Sequence, residues 1–211
     1  MPSSTSALRS SIVAAMGVLL IGSSGCVSEP TWILHEGAHG QRYSQYALRG
    51  SASDDRIRLY RSNYLGQEVQ FQPGAPVKIT GYSPTRLDVT IEGKECSVFS
   101  RDHQFPSDPP GIDRFLDQHF GKDRPNLADF EESVQTHIKN GRAAQGMTKA
   151  QVIMALGYPS HIGPDRVWAG SLDRHRILEH NVWLYRQNDI IGLSLWRVYK
   201  FDTDGKLATI E

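Results

Sequence analysis

Two cysteines in 211 residues are too few for a disulfide framework. No apolar run approaches the roughly 20 residues that a helix needs to cross a bilayer. Charge of one sign is also missing: 23 basic and 23 acidic side chains leave a formal net charge of zero. That balance excludes the basic stripe of a nucleic-acid binder. Nor does the chain carry a Ser/His/Asp order, a glycine-rich phosphate loop or a paired-carboxylate signature, so the residues point to a non-catalytic protein.

What is present begins at the N-terminus. Arg9 is the only charged side chain before Glu29, and the stretch from Ile12 to Ile21 is almost wholly apolar. Small residues then lead to Cys26 through Ser23-Ser24-Gly25. This order is that of an export signal, an address removed from the mature chain. Its end resembles the lipobox of bacterial lipoproteins, with Ser23 where the pattern prefers Leu, Val or Ile. The resemblance implies cleavage before Cys26 and acyl chains, palmitate among them, on its sulfur; the alternative is ordinary signal cleavage after Gly25. Val27 rather than Asp after the cysteine resembles the sorting pattern for the outer membrane, with the soluble part in the periplasm. If Cys26 carries lipid, Cys96 has no partner, and its alternation with Val98 suits a buried strand position.

The segment from residue 26 to 55 is polar, with scattered aromatics, and reads as a tether or an irregular lead-in strand. From 56 to 101 the signals are all β. Ile57 and Leu59 alternate, as do Val77 and Ile79, Leu87, Val89 and Ile91, and Cys96 and Val98. Turn chemistry at Gln72-Pro73-Gly74, Ser83-Pro84 and Glu92-Gly93 separates them. Four or five short strands in so short a span predict a small curled sheet or barrel, and the run from Tyr64 to Ile79 resembles the start of a bacterial SH3-like barrel. Residues 102 to 125 form a linker with a short helix, since Ile112, Phe115, Leu116, His119 and Phe120 fall on one helical face. His119 on that stripe reads as a core residue. A second helix is expected after Pro125, capped by Asn126, with Leu127, Phe130, Val134 and Ile138 at helical spacing.

The most specific motif is Gly146-Met147-Thr148-Lys149-Ala150-Gln151-Val152-Ile153-Met154-Ala155-Leu156-Gly157-Tyr158-Pro159. Thr148 and Gln151 make a capping box, Val152, Ala155 and Leu156 an apolar face, and Gly157 and Pro159 the stop. The segment resembles the SmpA/OmlA/BamE-like outer-membrane lipoprotein domain, whose signature is Gly-Met-Thr, a helix, then Gly-x-Pro. The resemblance covers about 126 to 211 and implies a three-stranded antiparallel sheet at Asn181–Arg186, Leu195–Asp202 and Lys206–Ile210, hinged at Thr203-Asp204-Gly205. The chain departs from the family between Gly163 and His180, where it carries a long polar loop. The expected fold class is therefore α+β: a BamE-like two-helix, three-stranded unit behind an SH3-like β module.

Three other patterns mimic metal sites. His35-Glu36-Gly37-Ala38-His39 spells His-Glu-x-x-His, which would need a helix to align both imidazoles. Gly37 and Gly40 oppose that helix. The stretch also lies only nine residues beyond Cys26, so the pattern reads as accidental; a zinc-dependent hydrolase using His35, Glu36 and His39 is the enzymatic alternative. Asp202-Thr203-Asp204-Gly205 hints at a calcium loop, but Lys200 stands where the first carboxylate belongs, so a hairpin turn is expected. His161, His175 and His180 with Asp165 or Asp173 match no metal spacing. The resulting expectation is an outer-membrane lipoprotein without cofactor or metal. It would bind an envelope protein, such as a β-barrel assembly component, in membrane assembly or integrity. The remaining alternative is an SH3-like binder of peptide or cell-wall fragments.

Overall fold

The computed structural model describes residues 40–53, 56–63, 65–100, 104–190 and 193–211. The leader, Cys26 and the stretch 35–39 lie outside the described residues. The first half of the described chain holds β1 (Arg42–Ser44), β2 (Leu48–Ser53), β3 (Arg56–Tyr60), β4 (Glu68–Phe71), β5 (Pro76–Tyr82), β6 (Arg86–Ile91) and β7 (Lys94–Phe99). Helix α1 (Pro109–His119) and β8 (Phe120–Gly121) follow, then α2 (Glu132–Lys139) and α3 (Lys149–Leu156). The rest comprises β9 (His161–Ile162), β10 (Val167–Trp168), α4 (Arg174–Glu179), β11 (Val182–Ile190), β12 (Leu193–Phe201) and β13 (Leu207–Ile210).

This arrangement overturns the expected BamE-like unit behind a small SH3-like barrel. The chain is mostly β, with an eight-stranded curled sheet ordered β4-β2-β3-β7-β6-β5-β1-β8 and a five-stranded sheet ordered β10-β9-β11-β12-β13. The first sheet is wider than expected because β1, β2 and β8 join it from outside the span 56 to 101. Its pairs are antiparallel except β3 with β7. The second sheet keeps the three expected C-terminal strands and adds β9 and β10 along the edge of β11.

Alternation explains which face of the first sheet is dry. Register sets Val77 against Ile91, Ile79 against Val89 and Leu87 against Val98, and all six are buried. Such cross-strand apolar pairs are the stabilising unit of a sheet. Helix α1 adds Ile112, Phe115 and Leu116 to the same core. Phe105 links the two layers, its ring 5.8 Å from that of Tyr82 on β5 and 5.1 Å from that of Phe115. Asp108 caps α1 by accepting from the Gly111 amide at 2.8 Å, ahead of two prolines that need no donor partner.

The helix expected after Pro125 starts later. Asn126 accepts from the Ala128 amide and donates to Asp129, while the Phe130 amide bonds Leu127, so 126–130 is a turn and α2 begins at Glu132. The capping box is as expected: Gln151 N–H donates to Thr148 Oγ1 and Thr148 N–H to Gln151 Oε1. The polar stretch 163–180 is more ordered than expected, holding β10, a 3-10 turn at Ala169–Ser171 and α4 capped by Asp173.

Both sheets share one hydrophobic core. The amides of Leu65 and Gly66 donate to the carbonyls of Arg186 and Gln187 on β11, and a buried side-chain amide ties the first sheet to α3. Asn63 is 2% exposed and takes the left-handed conformation, φ 44°, which asparagine tolerates better than most residues. Its Oδ1 accepts from the Arg49 amide on β2 at 2.8 Å. Its Nδ2 donates to the Ala47 carbonyl at 3.0 Å and to the Leu156 carbonyl at the end of α3 at 2.6 Å. Gly157 follows at φ 80°, and any Cβ there would lie 2.9 Å from the Tyr46 ring and 3.0 Å from Asn63 Nδ2. Asn63→Ala strands three buried backbone groups, each worth roughly 1–3 kcal/mol when unsatisfied. The expected loss is about 3 kcal/mol, read as a lower urea midpoint at unchanged slope; an unaltered midpoint would show that the amide is dispensable.

Candidate functional site

Three buried rings meet beside the Asn63 clip. Tyr46 lies between β1 and β2, His119 ends α1, and Tyr158 follows α3. The Tyr46 hydroxyl stands 2.6 Å from His119 Nδ1, and Tyr158 packs edge-on to both rings. Burial holds the imidazole neutral, pulling its pKa down to about 3, and the nearby Arg61 cation adds to the effect. Burial pushes the Tyr46 hydroxyl far up, so it keeps its proton and hydrogen-bonds the neutral ring. Both groups are therefore neutral near pH 7, and their bond ties the end of α1 to the turn before β2. Arg61 is a further tie between the halves. Its guanidinium lies 5.0–5.6 Å from the rings of Phe105, Phe115 and Trp168, and its Nη2 donates to the Gly170 carbonyl at 2.7 Å.

The second sheet presents two different faces. Register aligns Val167, Ile162, Trp183, Tyr199 and Ile210 in one row across all five strands. The middle three are buried, Trp183 donating to the Ile177 carbonyl on α4 at 3.2 Å, and Tyr185 on the same face donates its hydroxyl to the Gly157 carbonyl at 2.9 Å. The edge residues are not covered: Val167 is 48% and Ile210 36% exposed. The opposite face carries the row Trp168, His161, Leu184 and Val198, with Trp196 and Arg186 paired alongside. There the His161 and Trp196 rings meet edge-on at 4.9 Å, and Arg186 lies 5.7 Å from the Trp196 centroid. His161, Trp196, Val198 and Arg186 are all half-buried, so the outer face is a partly wet aromatic and aliphatic surface.

On the inner side, an open cleft of about 630 Å³ separates the end of this sheet from the edge of the first. Arg49 and Val69 wall one side, the turn after α2 closes the top, and Arg197, Tyr199 and Ile210 wall the other. Gly141 in that turn has φ 60°, and a Cβ there would meet Val69 and the Arg49 guanidinium, so the turn can sit this close only with glycine.

No family model, curated protein or solved structure matches the chain.

The remaining sequence candidates fall in ordinary roles. His175 pairs with Glu179 at 3.2 Å on exposed α4, His180 ends that helix, and His161 faces Trp196. The three do not gather, and among the described residues no group of three or more His, Cys, Asp or Glu could hold a metal. Asp202 Oδ1 accepts from the amides of Asp204 and Lys206, the pattern of a hairpin turn. Cys96 is buried and free, its thiol pushed up to about 11 by burial, and therefore unreactive. Cys26, His35, Glu36 and His39 lie outside the described residues. Sequence reasoning missed Arg49, Arg142 and Arg197, whose separation along the chain hides their common cleft; only Arg49, the one charged residue of β2, offered a signal.

His119 generates a pH dependence of stability. Unfolded histidine titrates near about 6.5, so between there and about 3 the unfolded chain binds a proton that the folded chain refuses. Stability falls as pH drops through that window, by up to ~1.4 kcal/mol per pH unit. His119→Gln keeps a neutral hydrogen-bonding group beside Tyr46 and flattens the slope in urea unfolding between about pH 6.5 and about pH 4.5. Equal slopes in the two proteins would refute the assignment.

Proposed function

We propose that the chain is a non-catalytic lipoprotein of the outer membrane, held by acyl chains on Cys26, whose periplasmic part is a protein-interaction module. The process it serves is assembly of outer-membrane proteins or integrity of the envelope, and its partner is another envelope protein, a β-barrel assembly component. The apolar run ending in Cys26, with Val27 after it, supports the anchor. The Gly146–Pro159 motif, similar to that of SmpA/OmlA/BamE-like lipoproteins, supports the process.

The observation that carries the binding reading is the outer face of the second sheet. Aromatic residues and arginine are enriched at protein interfaces, and Trp196 stands there pre-packed between His161 and Arg186. A ring already held in place loses little further freedom on binding. The anchor adds to this. Each buried methylene contributes about 0.8 kcal/mol, so several chains confine the protein to the membrane surface and raise its effective concentration near any partner there.

Crosslinking of the tagged, lipidated protein in intact envelopes tests both parts. Mature protein of acylated mass is expected in the outer-membrane fraction, and Cys26→Ser should release it. One envelope protein should be recovered reproducibly, and Trp196→Ala should lower that recovery about tenfold, the scale of an interface hot spot. Undiminished recovery with Trp196→Ala would discard the outer face as the contact. No envelope protein above the Cys26→Ser background would discard the function.

A further inference from the structure

We infer that the cleft between the two sheets is a binding site for a phosphate monoester, with the buried Arg49 as its principal cation. Arg49 is 7% exposed, and no carboxylate among the described residues pairs with it. Its guanidinium donates instead to neutral carbonyls: Nη1 to Gln67 at 2.6 Å and Leu65 at 3.3 Å, and Nη2 to Gly141. Its Nε is buried without a hydrogen-bond partner. A buried charge answered only by dipoles is costly, and an anion held in the adjoining cleft removes part of that cost.

The surroundings add positive charge. Lys139, Arg142 and Arg197 line the same cleft, and Glu68 is the one acidic residue among its lining side chains. None of these three cations forms an ion pair among the described residues. Burial, and the neighbouring Arg142 cation, push Arg49 below its ordinary pKa, while Tyr199 acts the other way. Four cations against one carboxylate leave a formal +3, which a single carboxylate neutralises poorly. A phosphate monoester, carrying about −1.5 to −2 near neutrality with three acceptor oxygens, fits better. The volume, about 630 Å³, lies within the range of small-molecule sites.

The ligand's source is either a soluble phosphate ester or the headgroup of a lipid, which share this chemistry. The inference does not rest on the proposed protein contact, because Arg197 and Tyr199 lie on the face of the sheet opposite Trp196.

Thermal unfolding and calorimetry of the full lipidated protein in a non-ionic detergent provide the test. The probes are glycerol 3-phosphate and dihexanoyl phosphatidic acid, with acetate and uncharged glycerol as controls. Saturable stabilisation by glycerol 3-phosphate assigns a soluble ester; stabilisation by phosphatidic acid alone assigns a headgroup. Affinity should weaken as salt rises, because the rim cations are exposed. Arg49→Lys, which keeps charge but loses the fork, should weaken binding about tenfold. Since that variant can also disturb packing, Arg142→Ser with Arg197→Ser supplies a surface test: the same direction of loss, with ligand-free stability unchanged. Trp196→Ala should leave phosphate binding intact even if it abolishes partner capture. Absence of stabilisation by either phosphate probe overturns the inference. So does equal stabilisation by acetate, or undiminished binding in the surface double variant.

Discussion

The structure depends on one buried amide. Asn63 accepts from the Arg49 amide on β2 and donates at once to the carbonyls of Ala47, just before β2, and of Leu156 on α3. Those three groups are main-chain atoms, and backbone groups without partners are rare in buried positions. The rest of the junction is arranged around it. Gly157 leaves room for the amide, Tyr158 packs on the Tyr46–His119 pair, and Tyr185 bonds the next free carbonyl. A hydrophobic seam could have joined the two sheets at many relative positions. Hydrogen bonds with fixed directions, those of Asn63 to α3 and those of Leu65 and Gly66 to β11, select one, and Leu65 also lines the cleft beside them.

How much of this the residues disclose follows from how local each cause is. The Thr148 cap and the strands of Leu87, Val89 and Ile91 are visible because their reasons lie within a few residues. The C-terminal hairpins are visible for the same reason. β1 and β2 are not visible, since Arg42–Ser44 and Leu48–Ser53 carry arginine, serine and glycine without alternation. They become strands because neighbours offer them edges. β9 and β10 are two residues each, below any period. Asn126 shows a local cause misjudged, since an asparagine that caps a helix and one that makes a turn look alike until the partner amide is known. The expected fold failed in its assembly more than in its parts. Periodicity names strands but does not say which of them share a sheet.

The cleft and the outer face were hidden for a related reason. Arg49, Arg142 and Arg197 have no spacing in sequence that links them, and Trp196 reads there as one more strand aromatic. The two surfaces lie on opposite sides of β11 and β12, so a ligand in one and a partner on the other touch the same strands. Contact with one side therefore bears on the strands that the other uses, without any need for a long path.

The parallel pairing of β3 with β7 has a consequence for how the chain reaches this state. Antiparallel neighbours can close as hairpins while the chain is still emerging, but β3 must wait for a strand more than thirty residues later. β1 waits longer for β8, and Asn63 waits for Leu156. Contacts of such separation fold slowly, because loop closure is opposed by entropy before any contact returns free energy. The first sheet is thus written early in the chain and completed late, once β7 and β8 have arrived.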